Sequence, residues 1–486
     1  MRELAQHYER MRRSHPGGEL VVVFDIDGTI LDLRHLVHHV LLGYDRQHHT
    51  DWFHGLRADD IDVHENRVEG FLAERPMPDA VREAVLAWYL ERRWQPEAML
   101  AAHRPYRGVL DVIRWFQLQP GTDVALNTGR PEVLRADTLR CLNTLGQEYR
   151  VYFDSDLLHM NSGDWEEGVA DSKVDGLRAL RAAGRRVVAV VDNEPANLDA
   201  IARSGVCDDA LLLHADTIYE SAAQRRAGTV SGRSYDVTAL ISERGLPGHV
   251  QLVWHGVNDV ANLRQFLASA VRWCECDVRV DPLDRLVLRH DSFDETPWSP
   301  EERCPDLAET LVAVTGRDRA VKLDLKTGGE GLDRVLGLLD DLGVDDEDLW
   351  FNGGIESLGE EGFRKLRAAR PGAVVQCPID FLTPLVLGAP EHARAVLAGI
   401  GKWGIDRVSL AWGGTHARTV FDRLDRWGHD VNLYAVPDLE SFLQAALLLP
   451  TSLTADFNFP AWHYFGRGSG ERQAYHRYRR AADPAA

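Results

Sequence analysis

Val21-Val22-Val23-Phe24-Asp25-Ile26-Asp27-Gly28-Thr29 decides how the first half of the chain is read. Four apolar residues, three of them β-branched, run without a polar break and then meet two carboxylates. A run that is apolar on both faces reads as a strand, Val21–Asp25, inside a parallel sheet covered by helices on both sides. Asp25 and Asp27 are spaced i, i+2, so in an extended chain their side chains share one direction. They converge at the carboxyl end of the sheet, where open α/β folds bind ligands. Like charges repel there, so a bound metal or a raised pKa is expected.

Working outward, Val124–Asn127, Val151–Phe153 and Val187–Val191 read as further buried strands, each followed by turn residues and a helical pattern. Residues 32–104 lack strand runs and carry His, Trp, Arg and Glu at helical spacing, so they read as a helical insertion between the first two strands. Residues 221–248 are rich in breakers and read as a linker. Strand candidates then recur at Val250–Trp254, Trp273–Val280, Leu286–Leu288, Ala320–Leu325, Leu349–Phe351, Ala373–Cys377, Arg407–Leu410, Val431–Ala435 and Leu453–Ala455. About eight strand–helix units in roughly 220 residues fit a (β/α) barrel. The fold class is therefore α/β: a Rossmann-like domain at 1–220 with a helical cap at about 32–104, then a TIM-type barrel at 249–465. The Arg-rich tail at 466–486 is expected to lack fixed structure.

The 486 residues include 55 Lys or Arg against 75 Asp or Glu, a net charge of −20. That disfavours a protein that coats DNA. It leaves phosphorylated substrates open, because a divalent metal locally reverses the sign of an acidic site. Only five of the basic residues are lysine: Lys173, Lys322, Lys326, Lys365 and Lys402. No apolar run approaches the ~20 residues that span a bilayer. Met1–Leu20 is charged and has no signal-peptide core. The six cysteines form no zinc or disulfide framework. A cytoplasmic protein with reduced thiols and no membrane span is expected.

In the first half, Asp25-Ile26-Asp27-Gly28-Thr29 is followed by three further strand-end signals. These are Leu126-Asn127-Thr128-Gly129-Arg130, Lys173 in Ala170-Asp171-Ser172-Lys173, and Asp192 after Val187–Val191. The set resembles the haloacid-dehalogenase-like hydrolases. The resemblance implies that Asp25 attacks phosphorus to form an aspartyl-phosphate, and that Asp27 protonates the leaving group and then activates water. It implies that Thr128 and Lys173 hold the phosphoryl group, and that Asp25, the Asp27 carbonyl and Asp192 bind Mg²⁺. Asp192 is followed by Asn193-Glu194-Pro195 rather than by a second aspartate, so Glu194 or Asn197 would fill that place. The helical insertion would gate substrate size.

In the second half the order is His255-Gly256-Val257-Asn258, Glu275-Cys276-Asp277, His290-Asp291 and Lys322-Leu323-Asp324-Leu325-Lys326. Strand alternation points Glu275 and Asp277 one way and Cys274 and Cys276 the other. Lys322, Asp324 and Lys326 share a face. Carboxylates suit Mg²⁺, Ca²⁺ or Mn²⁺, two histidines suit general acid and base, and lysine suits a phosphorane-like transition state. The layout resembles the barrel superfamily of glycerophosphodiester and phospholipase-C-like phosphodiesterases. Together with Trp350-Phe351-Asn352-Gly353 and Ser409-Leu410-Ala411-Trp412-Gly413 it looks closest to the menorin-type family. The resemblance implies metal binding by Glu275, Asp277 and Asp324, proton transfer by His255 and His290, and phosphate contact by Lys326. His255-Gly256 stands where glycerophosphodiesterases have His-Arg-Gly.

The leading expectation is a bifunctional phosphohydrolase: the barrel acts on a phosphodiester and the first domain removes a phosphomonoester. RNA or nucleotide end processing is the alternative, motivated by Arg467, Arg472, Arg477, Arg479 and Arg480 and by the RNA 2′-hydroxyl. A third reading leaves one domain inactive as a binding scaffold.

Overall fold

The computed structural model describes residues 1–163, 168–217, 228–241, 248–299 and 302–455, and the strands at 457–458, 463–467 and 475–478. They fall into two units, Met1–Ile241 and Ser242–Ala486.

The first unit is a six-stranded parallel sheet of β1 (Leu20–Phe24), β2 (Thr122–Pro131), β3 (Leu158–Asn161), β4 (Arg186–Asp192), β5 (Leu211–Ala215) and β6 (Val230–Gly232), in the order β3-β2-β1-β4-β5-β6. All five residues of β1 are buried, as their unbroken apolar run requires. The strand order reverses beside β1, and the crevice at such a switch point is where open sheets bind ligands. Asp25 leaves β1 there and Asp192 ends β4 beside it, with the Asp25 N–H donating to the Val191 carbonyl at 2.8 Å. Between β1 and β2 lie the helices Arg34–His48, Val68–Ala73, Asp79–Arg92 and Pro96–Ala102.

Two expectations need correction. Val151–Phe153 is not a strand; the edge strand is Leu158–Asn161. The Asn143 amide takes the Phe153 N–H at 2.8 Å and donates to its carbonyl at 3.1 Å, so the backbone there is satisfied by a side chain instead of a ladder. Part of the stretch 221–248 is also no linker. β6 pairs with β5, Asp236 caps the helix Val237–Leu240, and the Tyr235 hydroxyl donates to the Thr29 carbonyl at 2.8 Å. Gly108 sits against this segment at φ 82°, and a Cβ built there would lie 2.3 Å from the Tyr235 carbonyl oxygen. The short strand and the contact with the loop after β1 are invisible to a reading based on breaker residues.

The second unit is a closed barrel of eight parallel strands: β7 (Gln251–Trp254), β8 (Trp273–Val280), β10 (Ala320–Leu325), β11 (Leu349–Asn352), β12 (Val374–Pro378), β13 (Arg407–Ala411), β14 (Asp430–Val436) and β15 (Ser452–Ala455). β15 pairs with β7 and β8 with β10 to close it. The remaining candidate, β9 (Leu286–Leu288), is not a stave but an antiparallel extension of β8. Asp259, Asp306 and Asp438 cap the helices that follow β7, β9 and β14. Inward-facing residues are the interior of such a barrel, and the loops at its carboxyl ends build its site. Beyond it, β16 (Phe457–Asn458), β17 (His463–Arg467) and β18 (Tyr475–Tyr478) form an antiparallel sheet, so the tail expected to lack structure carries β18 and the end of β17. Arg472, Arg479 and Arg480 lie outside the described residues. All six cysteines are free thiols, with Cys274 and Cys276 buried in the barrel wall. Among the described residues no helix is long and apolar enough to cross a membrane.

Candidate functional site

β8 and β10 run in register, Glu275 opposite Lys322 and Asp277 opposite Asp324. Their alternation sends these four side chains to one face while Cys274, Cys276, Leu323 and Leu325 are buried on the other. Glu275, Asp277 and Asp324 each offer an oxygen within 4.8 Å of the others, and no other set of three His, Cys, Asp or Glu converges in this way among the described residues. Three carboxylates with no sulfur or imidazole among them suit a hard divalent cation.

Neighbouring amides fix each carboxylate. Gly256 adopts φ 68°, and its N–H donates to Glu275 Oε2 at 2.7 Å. Asn258 Nδ2 donates to Asp277 Oδ2 at 2.6 Å while its Oδ1 accepts the Asp277 N–H at 2.9 Å. Asn352 Nδ2 donates to Asp324 Oδ1 at 2.8 Å and is itself held by Gln376 Nε2 at 2.6 Å. Such outer partners orient metal ligands. Asn258 and Asn352 stand in the quoted motifs, but only the tertiary structure shows what they hold.

His255, His290, Glu275, Asp277, Asp324 and Lys326 line one pocket of about 620 Å³. His255 Nε2 lies 3.8 Å from Glu275 Oε2. His290 Nδ1 pairs with Asp291 Oδ1 at 2.8 Å, which leaves Nε2 for proton exchange. Lys326 Nζ bridges Asp324 at 2.6 Å and Asp277 at 3.1 Å. Burial and then the charge of Asp277 push the Glu275 carboxyl up to about 7. Burial acts the same way on Asp277, but Lys326 and the two histidines outweigh it and hold that carboxyl below its ordinary range. Burial lowers the Lys322 ammonium to about 8 against the pull of Glu275.

In the first unit Lys173 Nζ bridges Asp25 Oδ1 and Asp192 Oδ2, both at 2.6 Å. Burial would lower this lysine, but the two carboxylates raise it, so it stays charged. Burial in turn pushes the Asp25 carboxyl up to about 7, against the pull of Lys173. The Thr29 hydroxyl donates to Asp25 Oδ2 at 3.1 Å. Asp192 Oδ1 accepts the Glu194 N–H at 2.8 Å and the Asn197 amide at 3.2 Å. Of the two candidates, Asn197 is thus the one whose side chain touches Asp192, while the Glu194 carboxylate lies 3.7 Å from His64 Nε2 of the helical insertion. Thr128 accepts the Arg130 N–H at 3.2 Å.

Asp27 is held apart from this cluster. Arg130, fully buried, grips it with Nε to Oδ2 at 2.7 Å and Nη2 to Oδ1 at 2.6 Å. Arg130 also donates to Thr138 at 3.1 Å and stacks over Trp94 at 5.1 Å. Burial would raise the Asp27 carboxyl, but Arg130 outweighs it and holds it below the ordinary range. Arg130 stands in the quoted Thr128-Gly129-Arg130, yet nothing in the sequence signals that it closes on Asp27, more than 100 residues away.

No protein-family model matches the sequence, and no curated protein matches it. Among solved structures, similarity is found to a putative glycerophosphodiester phosphodiesterase from Galdieria sulphuraria, with 18% identity over 42% of this chain and 93% of that one, TM-score 0.32. A phosphodiesterase of Oleispira antarctica in complex with the product sn-glycerol-3-phosphate is 15% identical over 45% of this chain and 96% of that one, TM-score 0.34. A glycerophosphodiester phosphodiesterase from Thermotoga maritima is 15% identical over 43% and 95%, TM-score 0.33.

Proposed function

We propose that this chain is a metal-dependent phosphohydrolase whose barrel cleaves a phosphodiester and whose first unit is a haloacid-dehalogenase-like phosphatase acting on a phosphomonoester. The observation that carries the reading is the convergence of Glu275, Asp277 and Asp324 beside His255 and His290 in one pocket. The all-oxygen donor set fits Mg²⁺, Ca²⁺ or Mn²⁺, which would supply Lewis-acid stabilisation of a phosphoryl oxygen when bound. His255 and His290 exchange protons with the attacking and leaving oxygens. Glu275 orients the first histidine and Asp291 the second. Lys326 offsets charge that develops on phosphorus.

In the first unit Asp25 is the nucleophile, with Lys173 holding it and Asp192 together; Asp25, the Asp27 carbonyl and Asp192 are the proposed Mg²⁺ ligands. Asp27 protonates a leaving group only once Arg130 releases it. That grip favours a second reading, in which the first unit binds a phosphorylated ligand without turnover.

The test alters Asp25 and His255 separately and follows a phosphodiester and phosphomonoester panel with each of the three metals. Sequential chemistry predicts that His255→Ala stops diester consumption and that Asp25→Asn accumulates a monoester. Loss of one and the same activity in both variants refutes the two-step scheme. Mg²⁺-dependent turnover of an aryl phosphate by the His255 variant excludes the scaffold reading. Arg467 and Arg477 fall in β17 and β18, and RNA cleavage remains one arm of the diester panel.

A further inference from the structure

We propose that Arg279 is a positioning residue for His290: it pins the loop that carries this histidine to the same strand that carries two of the proposed metal ligands. This rests on the phosphodiesterase reading of the pocket, in which His290 transfers a proton.

β8 alternates, so Arg279 shares its face with Glu275 and Asp277, and all three line the pocket. Arg279 stands two residues past Asp277, about 7 Å further along the strand. His290 has no such support from its own element. β9 ends at Leu288, and past it the Arg289 N–H still reaches the Asp277 carbonyl at 2.9 Å. His290 follows in the loop, with its side chain 54% exposed and that of Asp291 46% exposed. In place of a strand partner, the His290 carbonyl accepts two bonds from Arg279, from Nη2 at 2.8 Å and from Nε at 3.1 Å. The next carbonyl, that of Asp291, accepts Arg289 Nη1 at 2.9 Å. Arg289 is buried; Glu302 fixes it at 2.7 and 3.1 Å, and its Nη2 donates to the Thr296 carbonyl at 2.9 Å. Two arginines thus hold consecutive carbonyls of the His290–Asp291 dyad.

The two do different work. Arg289 joins the loop to itself, through Asp291, Thr296 and Glu302, and so keeps the loop's shape. Arg279 comes from the face of the metal ligands and so sets where that loop stands relative to them. Asp277 and Asp291 both attract its charge, yet its bonds go to the His290 carbonyl. A planar guanidinium that gives two N–H groups to one oxygen fixes direction as well as distance, which a point-charge ammonium does not. Proton transfer needs the imidazole within about 3 Å of the reacting oxygen, and a misplacement of about 1 Å costs on the order of 100-fold in rate. Arg279 therefore acts on the reaction without touching the substrate.

The test follows turnover of glycerophosphoethanolamine, whose alkyl leaving group departs only with a proton, by the full chain with Mg²⁺. Arg279→Met, His290→Gln and the double variant are compared. Arg279→Met is expected to lower kcat about 10–100-fold with KM nearly unchanged, and to keep the Mn²⁺ affinity of the unaltered chain by calorimetry. Placed on His290→Gln, the same change should add less than about twofold, because the histidine it positions is gone. A full second loss on that background, a raised KM with kcat kept, or lost Mn²⁺ affinity overturns the proposal, since each puts Arg279 on the substrate or on Asp277 instead. Arg279→Lys keeps the charge and carries the same cycle where the methionine variant does not fold. Hydrogen exchange of residues 289–292, read by mass spectrometry, needs no turnover. Faster exchange in the Arg279 variant supports the clamp, and unchanged exchange overturns it. A chain that cleaves no diester but shows the faster exchange keeps the clamp and refutes the phosphodiesterase reading alone.

Discussion

Removing Arg130 should unfold the first unit's site from within. Its guanidinium is fully buried and makes two contacts of 2.6 and 2.7 Å to Asp27, whose side chain is 15% exposed. Breaking a buried pair by deleting one partner leaves an uncompensated charge and costs about 3–5 kcal/mol. Lys173 also acts on Asp27, so Arg130→Met is expected near the low end, about 3 kcal/mol. For a unit of this size that is a fall of roughly 6–12 °C in melting temperature. Urea unfolding followed by tryptophan fluorescence reads it directly, since Trp94 stacks on Arg130. Asp27→Asn and the double variant complete a cycle, and a coupling of about 2 kcal/mol or more is expected. The pH dependence has a definite sign. The Asp27 carboxyl is depressed, so the pair's stabilisation is complete above the ordinary carboxylate range and is lost as pH falls through the depressed value. Arg130→Met should remove that acid limb. A loss below about 1 kcal/mol, or no coupling in the cycle, would refute the claim that this pair is a buried structural lock.

Asn258→Ala should weaken Mn²⁺ binding about 10–100-fold by calorimetry, because it frees the Asp277 carboxylate that Asn258 holds at 2.6 Å. Gly108→Ala should cost about 2–4 kcal/mol in thermal melts, since φ 82° and a 2.3 Å approach to the Tyr235 carbonyl both forbid a side chain; unchanged melting would mean that residues 235–240 do not belong to the first unit. Burial, and then Arg130, hold His103 at about 3 instead of its ordinary 6.5. Between those values the unfolded chain takes up a proton that the folded chain refuses, so stability falls as pH drops through that window, by at most about 1.4 kcal/mol per pH unit. Melting of His103→Gln at pH 7, 6 and 5 should show a flatter decline.

The barrel was legible because its signal is local. Each stave is a short apolar run between turn residues, and all nine candidates are strands. What the reading could not see was partnership. Leu286–Leu288 has the composition of a stave but pairs antiparallel with the end of β8. Val151–Phe153 has the composition of an edge strand, yet a single asparagine side chain satisfies the Phe153 backbone instead of a ladder. Breaker residues at 228–236 hide a strand because three residues are too few for a period to show.

The site divides in the same way. Residue type and i, i+2 spacing on single strands determined that Glu275 and Asp277, and Lys322 and Asp324, present charge on one face, since alternation is a property of the backbone alone; Asp25 and Asp27 lie past the end of β1, where alternation no longer holds, and they part to Lys173 and Arg130 instead of converging. Which charges meet is a matter of register between strands far apart in sequence, and only the tertiary structure decided it. Register set Asp324 against Asp277 and brought three carboxylates together; packing of the helix Val169–Ala182 set Lys173 between Asp25 and Asp192. Register also set Lys322, one of only five lysines, buried on the face of Trp350 and opposite Glu275.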